Sequence, residues 1–103
     1  MMTLTKVMQE DRRLVILRTL SEIPGFTLNE DILRQALEQI GHPEATRDLV
    51  RADLDFLREH VLVRWDVLDM PSGKLRVVTL LSAGEDVAKG RPHEGIARLK
   101  PGD

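Results

Sequence analysis

Residues 46–79 read TRDLVRADLDFLREHVLVRWDVLDMPSGKLRVVT, and their patterning decides the fold. Val50, Leu54, Leu57 and Val61 recur at i, i+4, i+7 and i+11, one face of a helix, with Leu49 and Phe56 widening it. Thr46 is a suitable N-cap and Asp48 suits the first turn. Strand alternation follows at once: Val63, Trp65 and Val67 alternate with Arg64 and Asp66. Asp69-Met70-Pro71-Ser72-Gly73-Lys74 has turn chemistry, and Leu75 to Leu80 is rich in β-branched residues. The spacing predicts a helix over 46–59 and a hairpin over 63–80 with its tip at 70–74.

Upstream, Ile32, Leu33, Ala36, Leu37 and Ile40 lie at i, i+1, i+4, i+5 and i+8, the cleanest amphipathic pattern in the chain. Asn29 can cap that helix, Glu30 and Asp31 suit its first turn, and Gly41 suits its C′ position. Phe26-Thr27-Leu28 can form a short strand. A first helix is expected from Thr5 or Gln9 to Glu22, stopped by Pro24-Gly25. Leu14, Ile16, Leu17, Leu20 and Ile23 cover a broad arc of it. Asp11, Arg12, Arg18, Thr19 and Glu22 hold the rest, interrupted by Val15. A helix apolar on more than one side is either central or shared with another subunit. Downstream, Ser82-Ala83-Gly84-Glu85 has capping-box spacing and predicts a short fourth helix through Lys89, ended by Gly90.

This order predicts an α+β winged helix-turn-helix: a three-helix core, a β-hairpin wing and a short C-terminal helix. Residues 1–90 form that domain, and residues 91–103, with two prolines and two glycines, form an extended or disordered tail.

Composition narrows the function classes. A chain of 103 residues has room for one domain with a core of its own. The aromatics are Phe26, Phe56 and Trp65, so the core must be aliphatic and base stacking has few platforms. With no cysteine, disulfides, thiolate metal sites and thiol nucleophiles are excluded. No apolar run reaches the roughly 20 residues of a membrane span, and Met1 to Asp11 is too polar for a signal peptide. A cytoplasmic location is the expectation. The formal net charge of −2 gives no global attraction to nucleic acid. Residues 46–76 hold 6 Lys/Arg and 6 Asp/Glu, so even the candidate recognition region is neutral.

Arg13-Leu14-Val15-Ile16-Leu17-Arg18, Pro24-Gly25-Phe26 and the run from Arg47 to Leu54 resemble a small winged-helix protein family of Mu-like bacteriophages and prophages. So does Thr79 to Arg91, which is also similar to the end of the wing and following helix in ArsR- and MarR-type regulators. The resemblance covers most of residues 12–98 and implies a phage- or prophage-encoded winged-helix protein, a transcriptional regulator by analogy of fold. The chain departs from metal-sensing ArsR relatives in having no cysteine.

Double-stranded DNA is the first partner these features suggest. Thr46, Arg47, Arg51, Arg58, Arg64, Lys74 and Arg76 are the candidate contacts. The helix 46–59 would enter the major groove and the hairpin 63–80 would touch the backbone. The opposite reading is a solvated face of Asp–Arg pairs, and with it a protein-interaction adaptor without DNA binding. Trp65 shares a face with Val63 and Val67 and is expected in the core. His42, His60 and His93 lack metal-ligand spacing, so no metal or cofactor is expected. The carboxylate pairs Asp53/Asp55 and Asp66/Asp69 lack a partner base or nucleophile, so no enzymatic activity is expected. Met8, Val15, Ile96 and Leu99 can form a homodimer contact, or pack within their own chain.

Overall fold

The structure is a computed structural model that describes residues 3–99. The elements run α1 (Leu4–Glu22), β1 (Thr27–Asn29), α2 (Glu30–Gln39), α3 (Arg47–Glu59), β2 (Val63–Met70), β3 (Gly73–Leu80) and α4 (Ser82–Ala88). Among the described residues these four helices cover one antiparallel sheet of order β1-β3-β2, an α+β arrangement compatible with a winged helix.

Side-chain caps set where the helices begin. Thr3 Oγ1 accepts from the Lys6 N–H and starts α1. Asn29 Oδ1 accepts from the Ile32 N–H at 2.9 Å, and Thr46 Oγ1 from the Leu49 N–H at 3.2 Å. The expected cap of α4 is not formed. Leu81 holds the N-cap position without a side-chain bond, and Ser82 is already helical. Packing explains the difference: the Leu81 N–H donates to the Leu62 carbonyl, and a Cβ on Gly84 would collide with that same carbonyl. Gly84 permits close approach rather than capping.

α1 packs against α2, α3, α4 and β3, so its broad apolar arc is that of a central helix. Leu14, Ile16, Leu17 and Leu20 from α1 meet Leu33 and Leu37 from α2, and Val50, Leu54 and Leu57 from α3, in one aliphatic core. Val63, Val78 and Leu80 close it from the sheet, Val87 and Ala88 from α4.

Three sequence expectations are corrected here. Val61 does not extend the buried face of α3. The helix ends at Glu59, and Val61 turns into the left-handed region at φ 58° with 64% of its surface exposed. The Leu62 N–H then bonds back to the Leu57 carbonyl, and Leu62 takes the buried place. Residues 91–99 carry no helix or strand but lie against the body. Ile96 is buried, the Ala97 N–H donates to the Glu10 carbonyl, and Leu99 packs on the core, as Val15 does. Ile96, Leu99 and Val15 are thus used within the chain. Residues 1–2 and 100–103 lie outside the described residues.

The third correction concerns Arg12, which is buried rather than on a polar arc. Asp53 projects from the apolar face of α3 and is fully enclosed. Arg12 Nε donates to its Oδ2 at 2.7 Å and Arg13 Nε to its Oδ1 at 3.1 Å. Burial alone would lower the Arg12 pKa, but the hydrogen bonds and charges of Asp53 and Glu44 raise it above its ordinary value. Arg13 also lies over the Phe56 ring at 3.8 Å and donates to the Gly95 carbonyl, so the segment 93–97 covers this network. His42, also buried, has one ring nitrogen 2.6 Å from Asp11 and the other 2.9 Å from Glu44.

Asp53→Ala would leave two buried guanidiniums without their shared carboxylate and is expected to cost about 3–5 kcal/mol, read as a lower urea midpoint. Val61→Gly is expected to do the opposite. Relief of a left-handed β-branched residue, less the greater freedom of glycine in the unfolded chain, stabilises by about 0.5–1 kcal/mol and raises the Tm.

Candidate functional site

α3 and the hairpin present the residues that the sequence marks for contact. The structure gathers Thr46, Arg47, Arg51, Lys74 and Arg76 where α2, α3 and β3 meet, sets Arg58 beside Arg76 on Trp65, and leaves Arg64 on the opposite face of the sheet; among the described residues each of the seven has an intramolecular partner. The Thr46 hydroxyl is engaged as the α3 cap. Arg47 Nη2 reaches Asp31 Oδ1 at 2.8 Å, with both side chains nearly half exposed. Its pKa is raised by that hydrogen bond and by the Asp31 charge. Arg64 Nη1 lies 3.5 Å from Asp66, and Lys74 Nζ 2.9 Å from Asp69. Arg76 Nη1 lies 3.0 Å from Asp55, and its guanidinium stacks 4.2 Å from the Trp65 ring centre. Arg58 stacks on the same ring at 4.0 Å and has no carboxylate partner among the described residues.

Arg51 is the most constrained of the set. Its Nε and Nη2 grip the two oxygens of Glu30 at 2.7 and 3.0 Å, a bidentate fork. Glu30 is almost wholly buried at the first position of α2. It accepts in addition from the Arg76 main-chain N–H at 2.6 Å, while Arg51 Nη2 donates to the Lys74 carbonyl at 3.0 Å.

The strand register explains this pair. β1 covers β3 only from Val77 to Thr79. Beyond Asn29, the Arg76 N–H and Lys74 C=O still point to the β1 side with no strand to meet them. The Glu30 carboxylate and the Arg51 guanidinium take the place of the missing strand, one as acceptor and one as donor. The tip-proximal half of β3 is thereby fixed to both α2 and α3. Burial alone would raise the Glu30 pKa. Hydrogen bonds from Arg51 and the Arg76 amide, with the charges of Arg51 and Arg47, outweigh it and hold the carboxyl below its ordinary value.

Trp65 is half-buried rather than enclosed, and serves as the ring on which Arg58 and Arg76 lie. Beyond it the hairpin leaves the core. On the face turned away from the core, Leu68 pairs with Leu75, and Leu68 and Met70 remain 50% and 44% exposed. Val67, on the opposite face, is also exposed.

The carboxylates that set the charge of this surface carry no motif of their own. Glu30 and Asp31 read as first-turn acids of a capped helix, and nothing in their spacing announces Arg51 and Arg47 as partners. The remaining imidazoles lie elsewhere: His60 and His93 meet edge to face at 4.9 Å beside Phe56. Among the described residues no three side chains of metal-ligating type converge, and no helix is long and apolar enough to cross a membrane.

Glu30→Gln is expected to loosen the tip-proximal half of the hairpin, costing about 1.5–3 kcal/mol at neutral pH as charged hydrogen bonds are lost. A depressed carboxyl pKa adds stability above its unfolded value, near 4.5, and that stability is lost as pH falls through the lower folded value. Unfolding free energies of the natural chain and the variant should therefore differ most at neutral pH and converge in acid.

No protein-family model matches the chain. It is 43% identical over 96 residues to the uncharacterized protein gp26 of Escherichia phage Mu, covering 92% of this chain and 94% of that protein. It is also 42% identical over 62 residues to an uncharacterized protein of Haemophilus influenzae, covering 60% of this chain and 59% of that one. At that identity and near-complete coverage, the chain belongs to the phage-associated protein family of Mu gp26.

Proposed function

We propose that this is a winged-helix protein, phage or prophage encoded, that acts as a protein-interaction adaptor through its α3–hairpin face. The order α2–α3–hairpin, with β3 of the hairpin locked to both helices, supports the winged-helix reading. The observation that carries the adaptor reading is the charge of the face. Five of the six cations of α3 and the hairpin sit within 4 Å of a carboxylate, on Glu30, Asp31, Asp55, Asp66 and Asp69. A duplex approaching α3 would meet the exposed Asp31, Asp55 and Asp69 together with the arginines, and each acid beside a phosphate repels it. A protein surface suits the same mosaic. Matched charges can form a polar rim, and the exposed Val67, on the sheet face of Trp65 and Arg76, offers apolar contact without a single-sign field.

DNA binding is the second reading, favoured by Arg58. This guanidinium is exposed and has no carboxylate partner among the described residues, and it lies on α3 beside the hairpin. Arg47 and Lys74 are in exposed pairs that phosphates can replace at small cost. In this reading the chain is a DNA-binding regulator, with Thr46, Arg47 and Arg58 toward the groove and Arg64 and Lys74 toward the backbone.

One titration separates the two. Fluorescence anisotropy on labelled duplex DNA, across a salt series, reports the number of phosphates engaged, since each contributes a slope of about −0.9 in log K against log salt. The adaptor reading expects a slope shallower than about −2, unchanged in an Arg47→Ala, Arg58→Ala double variant. A steep slope that this variant flattens, with affinity lowered more than about tenfold, would overturn the adaptor reading in favour of the regulator.

A further inference from the structure

We infer that the outer edge of β2 is a homodimer interface, on which a second copy of this chain pairs antiparallel about Trp65. The inference does not depend on what the α3–hairpin face binds.

β2 is an edge strand of the sheet. The hydrogen-bond parity of the hairpin shows which of its groups are free. Leu80 and Arg76 direct their N–H groups toward β1, to the Phe26 carbonyl and the Glu30 carboxylate. The alternate residues Leu75, Val77 and Thr79 therefore bond to β2, where they sit opposite Leu68, Asp66 and Arg64. The intervening residues of β2, Val63, Trp65, Val67 and Asp69, direct their N–H and C=O groups outward. Among the described residues no other main chain bonds to them.

Two copies of one strand related by a two-fold axis can pair only when a residue faces its own counterpart. With the outward groups on odd positions, hydrogen bonds form whenever the axis passes through a residue of β2, whether that residue points outward or toward β3. Side-chain chemistry selects among these. An axis at Arg64 or Asp66 sets like charges face to face, and one at Leu68 places Asp66 against Met70. An axis at Val67 places Asp66 against Leu68 and Trp65 against Asp69. An axis at Val63 places Arg64 against Leu62. An axis at Asp69 sets two carboxylates face to face. An axis at Trp65 places Val63 opposite Val67, Arg64 opposite Asp66 and Trp65 opposite itself.

In that register the three outward pairs exchange about six main-chain hydrogen bonds. Arg64 and Asp66 fall at the closer, non-hydrogen-bonded positions, where cross-strand ion pairs form best. Within one chain Arg64 already lies 3.5 Å from Asp66 on the same strand face. The dimer therefore builds a four-charge rectangle in which every cation has a carboxylate beside it and another across from it. Charges on an edge strand usually discourage pairing. Here their order makes one pairing, and one register, self-complementary. Both side chains are largely exposed, at 56% and 83%, so no core contact holds them in place.

Sedimentation velocity over micromolar to millimolar loading tests this directly. The natural chain should show a concentration-dependent monomer–dimer equilibrium. Asp66→Arg sets arginine against arginine twice and should raise the dimer Kd about tenfold or more. Arg64→Asp combined with Asp66→Arg exchanges the charges but keeps the complementarity, and should return the Kd to within about threefold of the original. Circular dichroism checks that both variants remain folded. A natural chain that stays monomeric at millimolar loading overturns the inference. So does an Asp66→Arg chain that associates as tightly as the original, or an exchanged pair that fails to restore association.

Discussion

The carboxylate of Asp53 is the contact on which the assembly of the helices depends. It lies with Val50, Leu54 and Leu57 on the face that α3 turns to the core, in a position where an unpaired charge would be intolerable. Its two oxygens take one guanidinium each from adjacent residues of α1. Arg12 and Arg13 are consecutive, so they diverge by about 100° around the helix. Both can meet one carboxylate only if α3 crosses α1 at that level, and the bonds therefore select a register as well as a neighbour. An aliphatic contact of similar area would tolerate a shift along the helix; two directed bonds to one buried acceptor tolerate much less. The remaining donors of the two arginines extend the constraint, to Glu44 in the α2–α3 turn and to Gly95 in the C-terminal segment.

Glu30 repeats the device on the opposite side of α3, at Arg51. One buried carboxylate joins three elements, because it binds the Arg51 fork on α3 from the start of α2 and also takes the main-chain N–H of Arg76 on β3. The two sheet edges are thus treated differently. On the β1 side, where the short strand leaves β3 uncovered, side chains of α2 and α3 complete the pairing. On the β2 side nothing among the described residues does so, although that strand is eight residues long. A protein that completes β3 with buried charge and leaves the eight-residue β2 open presents its longer free edge there, and the side-chain order along β2 agrees with a partner of the same sequence.

Much of the architecture was legible because local chemistry and global packing agree. Asn29 and Thr46 cap where their spacing implies, and the Pro71-Ser72-Gly73 turn brings β2 back against β3 in the expected place. Leu33, Leu37, Val50, Leu54 and Leu57 are buried as their periodicity requires. The misreadings share a cause. Asp53 lies at i+3 from Val50, on the apolar stripe, yet the sequence marks it only as half of the pair Asp53/Asp55. With no buried acid in view, Arg12 has no visible reason to be inside. Val61 continues the helical period of α3, yet the helix has already ended, and a β-branched residue is a poor signal for a left-handed turn. Ser82 and Glu85 match a capping box, while Gly84 between them marks the close approach that decides how α4 sits. Periodicity reports faces; it does not report where a helix stops or what a buried charge meets across the fold.

The same limit governs the interaction face. Counting arginines along α3 and the hairpin suggests a nucleic-acid surface, and grouping them by helical angle strengthens the impression. The partners of Arg47 and Arg51 come from outside that window: Glu30 and Asp31 stand on α2, sixteen or more residues upstream. Arg51 is spent on holding the hairpin, and Arg76 is divided between Asp55 and Trp65. A guanidinium committed to a buried carboxylate cannot also bind phosphate without undoing the structure that positions it. The cations left to meet another molecule are Arg58 and the exposed pairs of Arg47, Arg64 and Lys74, each of the last three with a carboxylate at hand. Such a surface discriminates by shape and by the order of its charges rather than by net attraction, and that is how proteins distinguish one another.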